Sequence, residues 1–324
     1  MAYEHLITAD WHNKDVFTAV SANVARSNTY ARTGTWSFNF PAVHDAHLSV
    51  VAAATKYVGF GAYFLSDNAN GNRVFFREST TEHLCIVFNT VAGTIEARRG
   101  NETGTLLGSG GTISTNTWYY IGIKGTIDNS AGVVEVWLDG VKVIDLSSQD
   151  TQNGGTATVN NIWWEQGNAN VYIDDIKIRD DAVPSVGGLY VKVPSADGGT
   201  NGWTPSAGDE YQCVDEAPPT FDDYISTDVA TTNTLSNFAH AGMSAAAYDS
   251  IDCVAVVAYA QLDAAGAGNV RMVLNSNGTE SDGTSTVLST SPKYISHFVT
   301  ADPDTSAAWA KSGVDAALFG VETI

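Results

Sequence analysis

At 324 residues the chain is long enough for two domains that each bury a core. Its 16 Lys and Arg stand against 36 Asp and Glu, a formal charge of -20. That balance argues against nucleic acid and against an anionic membrane surface as partners, because both are bound through clustered basic side chains. Cys85, Cys213 and Cys253 lie far apart with no CxxC or close Cys/His spacing, so neither a zinc site nor a disulfide framework is expected. Cys85 and Cys253 fall in apolar strand patterns and are expected as core thiols, which fits folding in a reducing cytoplasm. The N-terminal residues show no basic and apolar signal-peptide pattern, and no apolar run approaches the roughly 18 residues of a membrane span.

Residues 1–16 form an expected leader or arm, with Tyr3 and Trp11 among polar neighbours. Ser37 to Phe40 alternates as a strand after a Thr-Gly-Thr turn. Leu48 to Leu65 gives two strands split around Thr55-Lys56, with Gly59 and Gly61 allowing close packing. Residues 67–72 read as a loop, and Val74–Arg77, His83–Phe88 and Thr94–Arg98 as strands. The most regular stretch is Trp118 to Leu146. Tyr119, Ile121 and Ile123 mark one face of a first strand, and Val134, Val136 and Leu138 one face of a second. Asp139-Gly140 then predicts a type I′ hairpin into Val141, Val143 and Leu146. Short strands about ten residues apart, without a convincing helix, predict a sandwich.

A charged, Pro-containing break at Arg179–Ser185 divides the chain. By count, residues 1–185 hold 12 basic and 19 acidic groups, and residues 186–324 hold 4 and 17. The expected domains are a β-sandwich over 17–181, a linker over 182–188 and an acidic β-sandwich over 189–324. In the latter, Leu189–Val193 alternates as a strand, and Ile251–Leu262 reads as a central strand apolar on both faces. Val270–Leu274 and Lys293–Val299 are further strands. A C-terminal helix is predicted from Ala307, Ala308, Trp309, Val314, Ala317 and Leu318, capped by Asp304-Thr305-Ser306.

The Trp118–Leu146 block, continued by Asn170–Ile178, resembles the central and closing strands of concanavalin A-like, laminin-G-like jelly rolls, over roughly Phe17 to Arg179. That implies a fold and leaves activity open, since such sandwiches host lectins, glycosidases, adhesins and structural modules. The second half carries Asp215-Glu216-Ala217-Pro218-Pro219, then Asp222-Asp223-Tyr224-Ile225, and closes with Asp302-Pro303-Asp304-Thr305 through Trp309 to Gly320-Val321-Glu322. In that order behind a concanavalin A-like domain, these stretches resemble virion structural proteins of tailed bacteriophages. The resemblance implies a two-domain, all-β virion protein, a concanavalin A-like jelly roll followed by a smaller β-sandwich with a short C-terminal helix. It implies assembly in a bacterial cytoplasm, as head decoration or tail component, with capsid or tail proteins as partners and a homo-oligomer as the form.

The sequence holds little that points to catalysis. Glycosidases on this jelly roll carry Glu-x-Asp-x-x-Glu, placing carboxylates on one strand face. The nearest approach, Glu135-Val136-Trp137-Leu138-Asp139, has Trp137 in the middle position and no third carboxylate, so no catalytic residue is assigned. Asp174 and Asp175 adjoin on a strand and are expected on opposite faces. No cofactor is expected. The resemblance implies at most one structural calcium, for which Asp67 in its loop, or Asp174 with Glu165, offers oxygen ligands. His44 and His47 are expected on a surface loop and not on a shared metal. The binding candidates are Trp163, Trp164, Glu165, Gln166 and Asn168. One of the two tryptophans must face outward from a strand, where it stacks on a sugar, contacts a neighbouring subunit or covers the sandwich edge. The main expectation is therefore a non-enzymatic structural protein, and the alternative an adhesin for host surface glycans.

Overall fold

The structure is a computed structural model that describes residues 3–68, 71–227, 233–243 and 250–324. Residues 69–70 of the expected 67–72 loop, and the first two of the expected leader, lie outside the described residues. The chain forms two units, Met1–Tyr190 and Val191–Ile324. Both are built almost wholly from β-strands.

The first unit opens with β1 (Tyr3–Ile7), β2 (Ala19–Val20), β3 (Ala25–Ser27), β4 (Ser37–Phe40) and β5 (Asp45–Ala53). It continues with β6 (Thr55–Phe64), β7 (Asn72–Glu78), β8 (Thr81–Asn89), β9 (Thr94–Arg99) and β10 (Thr105–Gly110). It closes with β11 (Trp118–Thr126), β12 (Gly132–Leu138), β13 (Val141–Gln149), β14 (Val159–Glu165) and β15 (Val171–Arg179). Sheet I runs β13-β12-β11-β6-β15-β4-β3, with β1 added to β15. Sheet II runs β10-β9-β8-β7-β14-β5-β2. All pairs are antiparallel, and the long crossovers that bring β6 beside β15 and β14 between β5 and β7 make this a jelly-roll sandwich.

Alternation places the core between the sheets. Sheet I sends in Phe60, Ala62, Phe64, Ile121, Ile123, Val134 and Val136, and sheet II sends in Leu48, Val74, Phe76, Leu84, Ile86, Ile162 and Trp164. Each fully buried Phe or Ile contributes about 1.5–3 kcal/mol of transfer free energy. The hairpin after β12 has Asp139 and Gly140 at positive φ, and the Asp139 carboxylate accepts the Tyr120 N–H at 2.7 Å. Cys85 and Cys213 are buried, whereas Cys253 is only half-buried.

The outer face of sheet I is covered by the chain itself. A Cβ on Gly59 would lie 2.9 Å from Pro184, one on Gly61 2.5 Å from Arg32, and one on Gly122 2.8 Å from Val183. These glycines form the shallow floor on which residues 32 and 183–184 rest. Two carboxylates fasten that cover. Asp174 accepts the backbone N–H groups of Arg32 (3.1 Å) and Thr33 (3.3 Å). Asp175 accepts from the Arg32 guanidinium (2.6 Å), the Thr33 hydroxyl (2.7 Å) and the Leu189 N–H (2.7 Å). Lys177 donates to the carbonyls of Ser185 and Gly187. The expected opposite-face placement of Asp174 and Asp175 is therefore corrected. The register between β15 and β6 shifts between Asp174 and Lys177, and Asp175 takes φ +51°, so a bulge turns both carboxylates toward the same two residues.

The second unit has β16 (Pro194–Asn201), β17 (Thr204–Pro205), β18 (Ile225–Ser226), β19 (Leu235–His240) and β20 (Val254–Ala260). There follow β21 (Asn269–Ser276), β22 (Thr279–Asp282), β23 (Thr286–Val287), β24 (Lys293–Val299), α1 (Lys311–Ala316) and β25 (Leu318–Thr323). Its main sheet runs β16-β19-β25-β21-β22 with β23 on β21, and β17-β18 and β20-β24 form two-stranded ribbons. The core joins Val270, Met272, Leu274 and Val321 of the main sheet to Val256, Ile295 and Val299 of the β20-β24 ribbon.

Three expectations change here. The alternation at 189–193 is not a strand; regular pairing starts at Pro194, and the Leu189 N–H is instead held by Asp175. The 251–262 segment is not a central strand covered on both faces, since β20 pairs with β24 in a ribbon and keeps most of its side chains half-exposed. The C-terminal helix is only six residues long. Its expected apolar stripe is divided, because Trp309 bridges to Ile251 and Leu318 starts the strand between β19 and β21.

Candidate functional site

Alternation along β14 decides the fate of the two tryptophans. Trp164 points inward, is 1% exposed and lies edge-on to Phe17 and Phe60 at 6.4 and 6.0 Å, so it belongs to the core. Trp163 points outward on sheet II. Its indole stacks on the His47 imidazole at 4.2 Å and 16°, and the Arg77 guanidinium lies 4.2 Å from the ring centroid. Beneath it sit Phe75, Cys85 and Val87, a small apolar cluster on the outer face. Burial pushes the Cys85 thiol well up and lowers the His47 imidazole, so both stay uncharged near neutral pH.

Charged side chains flank that aromatic layer. Arg77 pairs with Glu82 at 2.5 Å and lies 3.8 Å from Glu165. Arg73 pairs with Glu165 at 2.5 Å and lies 3.8 Å from Glu102. Arg73, Phe75 and Arg77 share one face of β7 because side chains two apart project together. The Arg77 guanidinium also lies 4.5 Å from the Phe75 ring, a cation–π contact worth about 0.5–2 kcal/mol.

Where β14 ends, the same face opens into a concavity of about 260 Å³ lined by Val43, Asp45, Arg73, Glu165, Gln166, Gly167 and Asn168. Two loops make its walls. The Val43 N–H donates to the Gly167 carbonyl at 2.8 Å, and the Gln166 N–H to the His44 carbonyl at 2.9 Å. Gly167 is required at this approach, since a Cβ would fall 2.5 Å from the Gly71 carbonyl oxygen and 2.6 Å from Asn68. Val43 holds φ +59° while 74% exposed. A β-branched residue pays steric strain for this conformation, and such strain persists where neighbours enforce it.

Gln166 is the unusual member. It is 3% exposed, and its carboxamide oxygen is buried without a hydrogen-bond partner among the described residues. Leaving a buried amide oxygen unpaired costs about 1–3 kcal/mol. Beside it, Asn168 is exposed and is anchored by its N–H to the Asn68 side chain at 3.2 Å. Asp45 and Glu165 are cross-strand partners in this wall. Both are committed, Asp45 to the Ser21 hydroxyl and Glu165 to Arg73. The arrangement suits hydrogen bonding to a ligand better than proton transfer.

Glu165, Gln166 and Asn168 thus come together in one concavity, with Trp163 on the adjoining face and Trp164 apart in the core. Asp174 turns its oxygens to backbone N–H groups, and Asp67 is exposed. Neither belongs to a group of three or more His, Cys, Asp or Glu able to hold a metal among the described residues. Glu135 pairs with Lys142 at 2.8 Å, and Asp139 serves its turn. His44 bonds to Ala42 and Asn23, away from the stacked His47. The sequence reading missed Val43, Asp45, Arg73 and Arg77. The alternation Arg73-Phe75-Arg77 was the available signal for the last two.

Neither a protein-family model nor a curated protein matches the sequence. Among solved structures, the chain is similar to the cellulose-induced protein Cip1 (14% identity, TM-score 0.42), over 54% of this chain and 96% of that one. It is also similar to the alginate lyase Aly36B (13%, TM-score 0.37), over 55% and 97%. A third is the carbohydrate-binding module CBM66 from Bacillus subtilis (10%, TM-score 0.34), over 53% and 97%. At these identities the likeness concerns the fold alone.

Proposed function

We propose that the first unit is a non-enzymatic glycan-binding module whose site is the concavity at the end of β14 and the Trp163 face beside it. The observation that carries this reading is the Gln166 carboxamide, buried at a polar concavity with its oxygen unpaired. A polyol supplies the hydroxyl such an oxygen lacks, and the half-buried Trp163 offers apolar surface to the ring of a second sugar. The commitment of Asp45 and Glu165 to protein partners supports binding without cleavage. The test is a glycan array with the full chain, followed by calorimetry on the best oligosaccharide. Saturable binding that is lost in Asn168→Ala and Trp163→Ala, with no reducing sugar released, is expected. A folded protein that binds nothing on the array refutes the reading.

Assembly into a phage particle is the second reading, and it rests on the second unit. It is carried by the sequence resemblance of the stretch from Asp302 to Trp309, which folds as a hydrogen-bonded turn. Asp302 is buried and holds Ser306 and Asp304, and the Trp309 indole donates to the Val299 carbonyl at 2.8 Å. Electron microscopy of particles carrying the protein, with copies counted, decides it. A stoichiometric array supports it, and absence from particles refutes it.

A further inference from the structure

On the glycan-binding reading, we infer that the concavity selects an uncharged sugar and that Gln166 sets this selection. The charged groups at the site are already matched. Glu165 lies between Arg73 and Arg77, Glu102 approaches Arg73, Glu82 holds Arg77, and Asp45 accepts the Ser21 hydroxyl. A uronate or sialate carboxylate entering here meets guanidinium groups that already hold carboxylates, beside four carboxylates, on a chain of charge -20. An ammonium meets carboxylates that are paired in the same way. Either charge gives up its water without gaining a partner of its own.

Both guanidinium groups already hold carboxylates through their terminal nitrogens, whereas the Gln166 side chain, which lines the concavity, is neutral and its oxygen has no hydrogen-bond partner among the described residues. A carboxamide offers an acceptor oxygen and donor N–H groups, and neighbouring hydroxyls of one sugar can fill both, as can the amide of Asn168. Val43 adds an apolar wall. Its side chain is 74% exposed at the rim, and its loop is tied to Gly167 across the opening. Carbon-bound hydrogens of a pyranose fit that wall, and a charged substituent does not. The amide therefore confers specificity at a cost to the free protein. Filling it with ligand, or removing it, relieves the cost.

Calorimetry with the full chain and matched oligosaccharides tests this. One set ends in glucose, galactose or N-acetylglucosamine, and the other in glucuronate, galacturonate or glucosamine on the same stem. The expected result is a Kd at least about tenfold lower for a neutral ending than for its charged counterpart. Gln166→Leu should lose at least about tenfold in neutral binding while its Tm is unchanged or higher, because the unpaired amide is gone. Gln166→Ala carries the same binding expectation if Gln166→Leu folds poorly. A charged ending bound as tightly as its neutral partner overturns the selection and leaves glycan binding standing. Wild-type affinity in both Gln166 variants overturns the role of that residue. No binding by any probe overturns the glycan reading itself, and this inference with it.

Discussion

The acidic pair on the outer face of sheet I and the glutamine at the edge of sheet II handle burial in opposite ways. On sheet I, Asp174 and Asp175 are fully buried, and their hydrogen bonds go to a segment of the same chain lying over Gly59, Gly61 and Gly122. On sheet II, Gln166 is almost as buried, yet its amide oxygen has no partner at an open concavity. The two aspartates are satisfied internally and so hold the structure together. The Gln166 oxygen, without a partner among the described residues, retains a cost that a ligand at the concavity can remove.

Breaking the closed face should have the largest effect. Asp175→Ala leaves the Arg32 guanidinium without its carboxylate and releases the Leu189 N–H, with an expected loss of about 3–5 kcal/mol by urea denaturation. The closed face should also respond to pH. Burial, and then the adjacent Asp175 carboxylate, push Asp174 up to about 8. Its folded form holds a proton that the unfolded chain, titrating near 4, has released. The associated stability is complete below about pH 4 and is lost as pH rises through about 8. Unfolding free energy should keep falling between about pH 6 and 8, where ordinary carboxylates stay ionised and add no slope, and should level off above about 8. Asp174→Asn should flatten that slope.

On the open face the effects are smaller in stability and larger in binding. Trp163→Ala removes the ring between His47 and Arg77 and should raise the Kd for the best oligosaccharide about tenfold or more. Its expected stability cost is about 1–3 kcal/mol, read from the same denaturation curves. Val43→Gly should be the mildest. It relieves a left-handed valine, offset by the greater freedom of glycine when unfolded, for a net gain of about 1 kcal/mol. The same change removes the apolar rim and should weaken binding severalfold. Equal stability in Val43→Gly and wild type would mean that the rim is not strained.

Much of the first unit was legible beforehand because its signals are local. Ile121, Ile123, Val134 and Val136 alternate within single strands, and Asp139-Gly140 specifies its own turn. The candidate site was half legible. Outward and inward tryptophans follow from alternation, and Glu165, Gln166 and Asn168 follow β14 in sequence. Val43, Asp45 and Arg73 come from other strands, and no local pattern announces that they will meet there.

What the sequence determined by itself is the all-β character, most strands of the first sandwich, the change in charge after residue 185 and the lack of a contiguous catalytic motif. The tertiary structure alone decided which polar groups are paired. Asp174 and Asp175 share a side because the register with β6 slips by a bulge, and Leu318–Thr323 is a strand because β19 and β21 flank it. Gln166 is buried where its loop is tied to residues 43 and 44, distant in sequence, and its oxygen finds no partner among the described residues. Alternation along a chain is set by backbone geometry. Hydrogen-bond satisfaction is a property of neighbours, and in a jelly roll those neighbours are brought together by long crossovers.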